Sequence, residues 1–320
     1  MIVNLLKKNF LLLFCIFVLG VVFLNVDKIS DKIASSLEKN PLVVVENANA
    51  YFKTDAFIFV KNTSDFIPLS YNDLLNIYYT ITNSGFEDFT FYCPSEYKAC
   101  LEDVGKISND PETLTYINNF VHPYNGFSNI QTIISESGEI NVKINYLYTK
   151  EEIKALDASV TKIYDEIIHK SMSSYDQIKT IHDYIINHTK YDIERNETND
   201  SKYQSHKAYG ALIEGYATCN GYTDAMALFL EKMGIPNFKV ATELMQTDIS
   251  GHVWNALYLD EKWLHLDLTW DDPVSDDGKD YLQHKYFLIN TTELESIDKK
   301  GEVIVKEHLF NKSIYPELRV

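Results

Sequence analysis

Hydrophobic residues recur along this chain with three different periods, and each period predicts a different kind of element. Near the N-terminus Lys7 and Lys8 precede Phe10–Val26 (FLLLFCIFVLGVVFLNV), an uncharged run suited to a secretory core segment or a short membrane span. No A-x-A-like cleavage site follows it, and no small residue stands before Cys15 to suggest lipid attachment. Residues 1–26 are therefore expected to be an uncleaved signal anchor, with the lysines on the cytoplasmic side and the body of the chain outside. Secretion is the alternative.

Residues 27–47 begin polar and read as a partly helical stalk. Through residues 48–150 helical and alternating patterns succeed one another, which predicts a smaller, separate α+β domain. Ser70 and Asp73 form a capping box for a helix that Gly85 closes. FEDFTFYC alternates like a strand, EYKACLEDV has helical spacing, and Asp110-Pro111 supplies a cap and a first-turn proline before LTYINNFV. FSNIQTIIS and EINVKINYLY, joined through Glu136-Ser137-Gly138, predict a β-hairpin. In residues 151–320 helical spacing returns: Thr149 with Glu152 opens one helix, and Ser174 with Gln177 opens a second through IKTIHDYIINHT. Adjacent helical positions point different ways, so His182 is read as structural and not as a partner of Asp183. The polar stretch Asp192–Lys207 is expected to be a loop.

Composition narrows the class. An apolar content of 45% over 320 residues can fill a sizeable core, and a net charge of −17 without a basic cluster excludes nucleic acid as a partner. The cysteines at 15, 93, 100 and 219 make no CxxC, and no HExxH occurs, so neither a zinc site nor a disulfide framework is indicated. Cys93 and Cys100 are close enough in sequence for a local disulfide if the body lies outside the cell; a buried free thiol is the other reading. The acidic loop DDPVSDDGKD fails the EF-hand spacing, because setting Gly278 as its sixth position puts Pro273 first. No metal and no cofactor is expected.

The candidate chemistry lies between Ala208 and Asp272. Thr218 is a suitable N-cap, MALFLEKM has helical spacing, and Gly234 with Pro236 ends the helix, so Cys219 falls in a first turn. The free N–H groups and the dipole there favour a thiolate and could hold an oxyanion. Downstream, a two-residue loop at Asp260-Glu261 makes Leu259 face Lys262, which sets His252 opposite Thr269 and Trp254 opposite Asp267. His252 and Asp267 are then diagonal neighbours on one face, as a general base and its orienting acid must be, while Leu264, Leu266 and Leu268 face the core. Trp254, Trp263 and His265 share that face; the tryptophans are candidate walls of the site, and His265 is a candidate second base.

AYGALxEGxAxCxGY around Cys219, GHxWN around His252 and HLDLTWDDP around Asp267, in that order, resemble the transglutaminase-like superfamily, in particular its bacterial members of papain-like fold. The resemblance runs from about Tyr146 to the C-terminal HLFNKSIYPEL. It implies an α+β fold in which a helix-start cysteine packs against an antiparallel sheet, with Cys219 as nucleophile, His252 as base and Asp267 as orienting acid. The first half resembles the companion region of membrane-anchored proteins of low-GC Gram-positive bacteria. The expected activity is thiol acyl transfer on a Gln carboxamide or peptide carbonyl, with a protein or cell-wall peptide as substrate. A cysteine protease or amidase is the alternative, and a non-catalytic surface scaffold is the second.

Overall fold

Among the described residues, the main-chain hydrogen bonds lost when water leaves are recovered by three sheets and the helices packed on them. The computed structural model describes residues 46–198, 200–243, 251–273, 281–300 and 306–319, with Val26 and Val43. All of the expected anchor but Val26 and nearly all of the stalk lie outside the described residues, as does most of the acidic loop. Among the described residues no helix is long and apolar enough to cross a membrane.

Helix α1 (Tyr71–Asn83) starts at Ser70, whose side chain accepts from Asp73 N–H, and Gly85 at φ 74° lets the chain leave it. Strand β1 (Asp88–Tyr92) follows, then α2 (Cys100–Asn109) and α3 (Pro111–Asn119), the last capped by Asp110 with its proline in the first turn. Cys93 and Cys100 are joined by a disulfide that ties the end of β1 to the start of α2. The hairpin of β2 (Phe127–Ile134) and β3 (Glu139–Tyr146) completes an antiparallel sheet of order β1-β3-β2.

Helix α4 (Lys150–Ile167) begins with both bonds of the Thr149–Glu152 capping box. Helix α5 (Ser174–His188) is capped by Ser173, whose side chain accepts from Asp176 N–H, one residue earlier than the sequence pattern indicated. A run of serines leaves that choice to geometry. The stretch expected as a loop after Asp192 contains a short helix, α6 (Ile193–Thr198), between the two-residue strands β4 (Lys190–Tyr191) and β5 (Tyr216–Ala217). Then come α7 (Cys219–Met233), β6 (Asn237–Ala241), β7 (Val253–Leu259), β8 (Lys262–Leu266), α8 (Leu268–Asp271), β9 (Phe287–Ile289) and α9 (Thr291–Lys300). Strands β6 to β9 form one antiparallel sheet in sequence order.

Residues Val45–Val320 make one compact unit. Across its middle, rings from both halves pack together: Phe57 and Phe120 lie 5.7 and 5.0 Å from Phe238, which is tilted against Trp263 and stacks on Tyr315. Lys53, buried, bonds Glu231 and the Asn237 carbonyl, each at 2.6 Å. A buried cation left without those partners would be costly, so this pair sets how α7 and β6 meet the N-terminal segment.

The β7–β8 register is the expected one, with Leu259 opposite Lys262 and Asn255 opposite Leu266. Asp260 and Glu261 both take positive φ, 49° and 63°, as a two-residue hairpin turn requires. Leu266 and Leu268 are buried in the core as expected. The ladder stops at Leu266, however, so Thr269 does not face His252 across a strand pair. Asp267 instead caps α8, accepting from Trp270 N–H, and the chain coils away from the sheet.

Candidate functional site

Cys219 is the first residue of α7, and close packing fixes where that turn sits. Thr218 occupies the cap position without capping: its N–H and its hydroxyl both donate to the Ser205 carbonyl. A Cβ added at Gly221 would meet that same carbonyl oxygen at 2.3 Å, so the glycine of TCNGY is what lets the helix start approach the 205–207 segment. Because Thr218 looks backwards, no side chain caps the first turn beside the sulfur.

Helix and sheet are pinned together beside His252. The Thr223 hydroxyl donates to Val253 carbonyl at 3.0 Å, and the Asn255 amide donates to Thr223 carbonyl at 3.0 Å. The Tyr222 hydroxyl donates to the Asp272 carboxylate, which fastens α7 to the end of α8.

His252, buried, donates from Nε2 to Asp267 Oδ2 at 2.5 Å. Cys219 lines the same two clefts as this ring, and with Nε2 committed the nitrogen left for sulfur is Nδ1. Burial opposes charging of the imidazole, but the Asp267 carboxylate and the Cys219 sulfur outweigh it, and the His252 pKa is raised above its ordinary value. Burial alone would raise Asp267; His252, and after it His308, hold the carboxyl below the usual carboxylate range.

His308 carries no signal by spacing, although it begins the quoted HLFNKSIYPEL. Its Nε2 donates to Asp267 Oδ2 at 2.9 Å and its Nδ1 faces Asp298 Oδ1 at 3.2 Å. Two imidazoles thus address one carboxylate oxygen. The rings of Trp254, Trp270 and Tyr286 surround His308 at 5.2, 5.5 and 4.8 Å.

Two clefts meet at the sulfur. The larger, about 520 Å³, is lined by Cys219, Asn220, His252, Thr242 and, from the first half of the chain, Asp110, Glu112 and Tyr116 of the α3 region. The smaller, about 260 Å³, is lined by Cys219, His252, Tyr191, Trp270 and Glu307.

The other candidates stand elsewhere. Trp254, fully buried, lies behind His252 at 5.7 Å and lines neither cleft. The ring neighbours of Trp263 are Phe57, Phe238 and Tyr258, toward the hairpin turn. Trp270 is the tryptophan that walls a cleft. His265 accepts the Trp254 indole N–H at Nδ1, 2.9 Å, so its Nε2 donates to Thr291 Oγ1 at 3.0 Å. Burial, reinforced by the charge of His308, pushes its pKa down to about 3, and a neutral imidazole with both nitrogens bonded cannot act as a second base.

Residues 161–268 match the Transglutaminase-like superfamily. The transglutaminase-like match spans α5, α7 and the sheet up to Asp267. A mouse protein, Kyphoscoliosis peptidase, is 22% identical over 128 residues, which is 37% of this chain and 19% of that protein. The chain therefore spans about a fifth of that relative's length. Among solved structures, a TGase is similar at 18% identity and TM-score 0.34, with 48% of each chain covered. The periplasmic domain of TgpA from Pseudomonas aeruginosa, bound to ethylmercury, is similar at 16% identity and TM-score 0.27, with 41% of this chain and 55% of that chain covered.

His308 offers a test through pH. Burial lowers its pKa, but the bonds to Asp267 and Asp298 win, and the folded value lies above the ordinary 6.5. A basic group raised on folding stabilises while protonated, so its contribution is complete below about pH 6.5 and fades as pH climbs through the folded value. Urea unfolding should show His308→Gln costing more stability at about pH 6 than at about pH 9. Equal costs at both would contradict a charged His308 braced on Asp267.

Proposed function

We propose that this protein is a thiol acyl-transfer enzyme acting on a carboxamide or peptide carbonyl. The observation that carries the reading is that His252, bonded to Asp267, lines two open clefts together with Cys219. His252 takes the thiol proton at Nδ1, and the imidazolium is stabilised by Asp267. Cys219 Sγ attacks the carbonyl carbon, and the uncapped first-turn N–H groups of α7 receive the developing oxyanion. The C–N bond breaks as His252 returns its proton to the leaving ammonia or amine, which gives a thioester. An acceptor then loses a proton to His252, attacks the thioester carbon and releases the thiolate.

An amine acceptor forms a new amide; water forms a carboxylate. Two clefts that share Cys219 and His252 suit a donor and an acceptor bound together. The hydrolytic reading is favoured by the likeness to Kyphoscoliosis peptidase, and it uses the same residues.

The same proposal sets the chemistry outside the cytoplasm, on the Cys93–Cys100 disulfide and the apolar run before residue 27. Labelling of the protein by a membrane-impermeant amine reagent on intact cells is expected, and labelling only after lysis would contradict it.

Mass spectrometry of a Gln-containing peptide incubated with the enzyme, with and without a primary amine, tests the reaction. Amine incorporation is expected, lost in Cys219→Ala and slowed by about ten thousandfold in His252→Ala. Product from water alone in both incubations would move the assignment to a hydrolase. No product in either would overturn the enzyme reading.

A further inference from the structure

His182, Asp183 and His284 lie outside the thiol site, and the transfer mechanism gives them no role. His182 and Asp183, adjacent in sequence, do meet, contrary to the expectation that neighbours on a helix diverge: His182 Nδ1 is 2.9 Å from Asp183 Oδ1. His284, 101 residues from Asp183, reaches the same oxygen with Nε2 at 2.6 Å. The two imidazole rings lie 5.1 Å apart at 32°. We propose that His182, Asp183 and His284 form a binding site for a divalent transition-metal ion, with Zn²⁺ the fitting occupant.

The donor set is two imidazole nitrogens and a carboxylate oxygen, and these atoms all lie within 4.8 Å of one another. That composition suits Zn²⁺ with a water in the fourth position. Ligand bonds of about 2.0–2.2 Å set tetrahedral ligand atoms roughly 3.3 Å apart, so the two edges that meet at Asp183 Oδ1, 2.9 and 2.6 Å, have to open by well under an ångström. Access is available from one side only: His182 is fully buried, while the side chains of Asp183 and His284 are 28% and 33% exposed.

A second, independent observation supports the site. Beyond the ligand nitrogen, His182 Nε2 faces Asp271 Oδ2 at 3.3 Å, and neither buried atom has any other partner. Metal on Nδ1 fixes the proton on Nε2, where the carboxylate of Asp271 is positioned to receive it. That is the outer carboxylate that metal-bound histidines usually have. Asp271 Oδ1 already accepts from the backbone N–H groups of Lys285 and Tyr286. An ion here would tie α5 to the 284–286 segment and to α8. One competing charge is present: Lys179 Nζ sits 2.5 Å from Asp183 Oδ2, leaving Oδ1 to the metal.

The other His-Asp group, His252, Asp267 and His308, has the same pairing of two imidazoles on one carboxylate oxygen but differs in that all three residues are buried and His252 lines the thiol clefts.

Titration of the full-length chain with Co²⁺ and then Zn²⁺ tests the proposal. The titration is run in the Cys219→Ser background so that the thiol cannot supply a ligand. One equivalent of Co²⁺ should give the visible bands of a low-symmetry nitrogen and oxygen site, displaced by Zn²⁺. His284→Ala should weaken Zn²⁺ binding at least about tenfold. Lys179→Met, which removes the competing cation, should tighten it, and this arm keeps the test open if a ligand variant fails to fold. Absence of binding at millimolar ion, unchanged affinity in a folded His284→Ala, or weaker binding in Lys179→Met would each overturn the site. None of these readouts depends on catalysis, so loss of the acyl-transfer reading would leave this one standing.

Discussion

The carboxylate of Asp267 is the point on which the site turns. Buried among aromatic rings, it is charged only because two imidazoles and the Trp270 N–H address it. Removing it would leave His252 without its counter-ion and His308 with Asp298 alone, at a cost of roughly 3–5 kcal/mol. Each neighbouring element follows from that requirement. Strand β8 ends where Asp267 must leave the ladder, α8 starts because Asp267 caps it, and Asp267 N–H takes the Tyr286 carbonyl just before β9. A charge so placed holds the His252 ring by Nε2, and a ring held there can offer only Nδ1 to a thiol.

The second constraint is the approach of α7. Its first turn reaches the histidine because Gly221 lets it approach the Ser205 carbonyl, and because Thr223 and Asn255 lock helix to strand. The same arrangement opens one side of the sulfur to the α3 region, whose Asp110 and Glu112 give the larger cleft an acidic edge. The first half of the chain thus builds a wall of the cleft.

Much of this could be read from residues alone, and the reason is local. Asp-Glu between alternating strands fixes a two-residue turn, and a one-residue slip would have turned Leu266 out of the core, so the register had one good solution. Capping residues marked α1, α3 and α4 in the same way. What could not be read depends on distance or on competition. His308 reaches Asp267 across 41 residues with no shared period. Thr218 had two acceptable uses for its hydroxyl and took the Ser205 carbonyl. Face alternation grouped Trp263 with His252, but alternation says nothing about how far along the strand a residue stands. His182 and Asp183 meet at an oxygen that His284 also reaches, from 101 residues away.

The most direct test of the account is whether an acyl group lands on Cys219 and needs His252 to do so. Intact-mass and peptide mapping after brief exposure to an activated ester would measure it. The account predicts one acyl group per chain, on Cys219, formed far more slowly in His252→Ala. Acylation elsewhere, or at an equal rate in that variant, would contradict it.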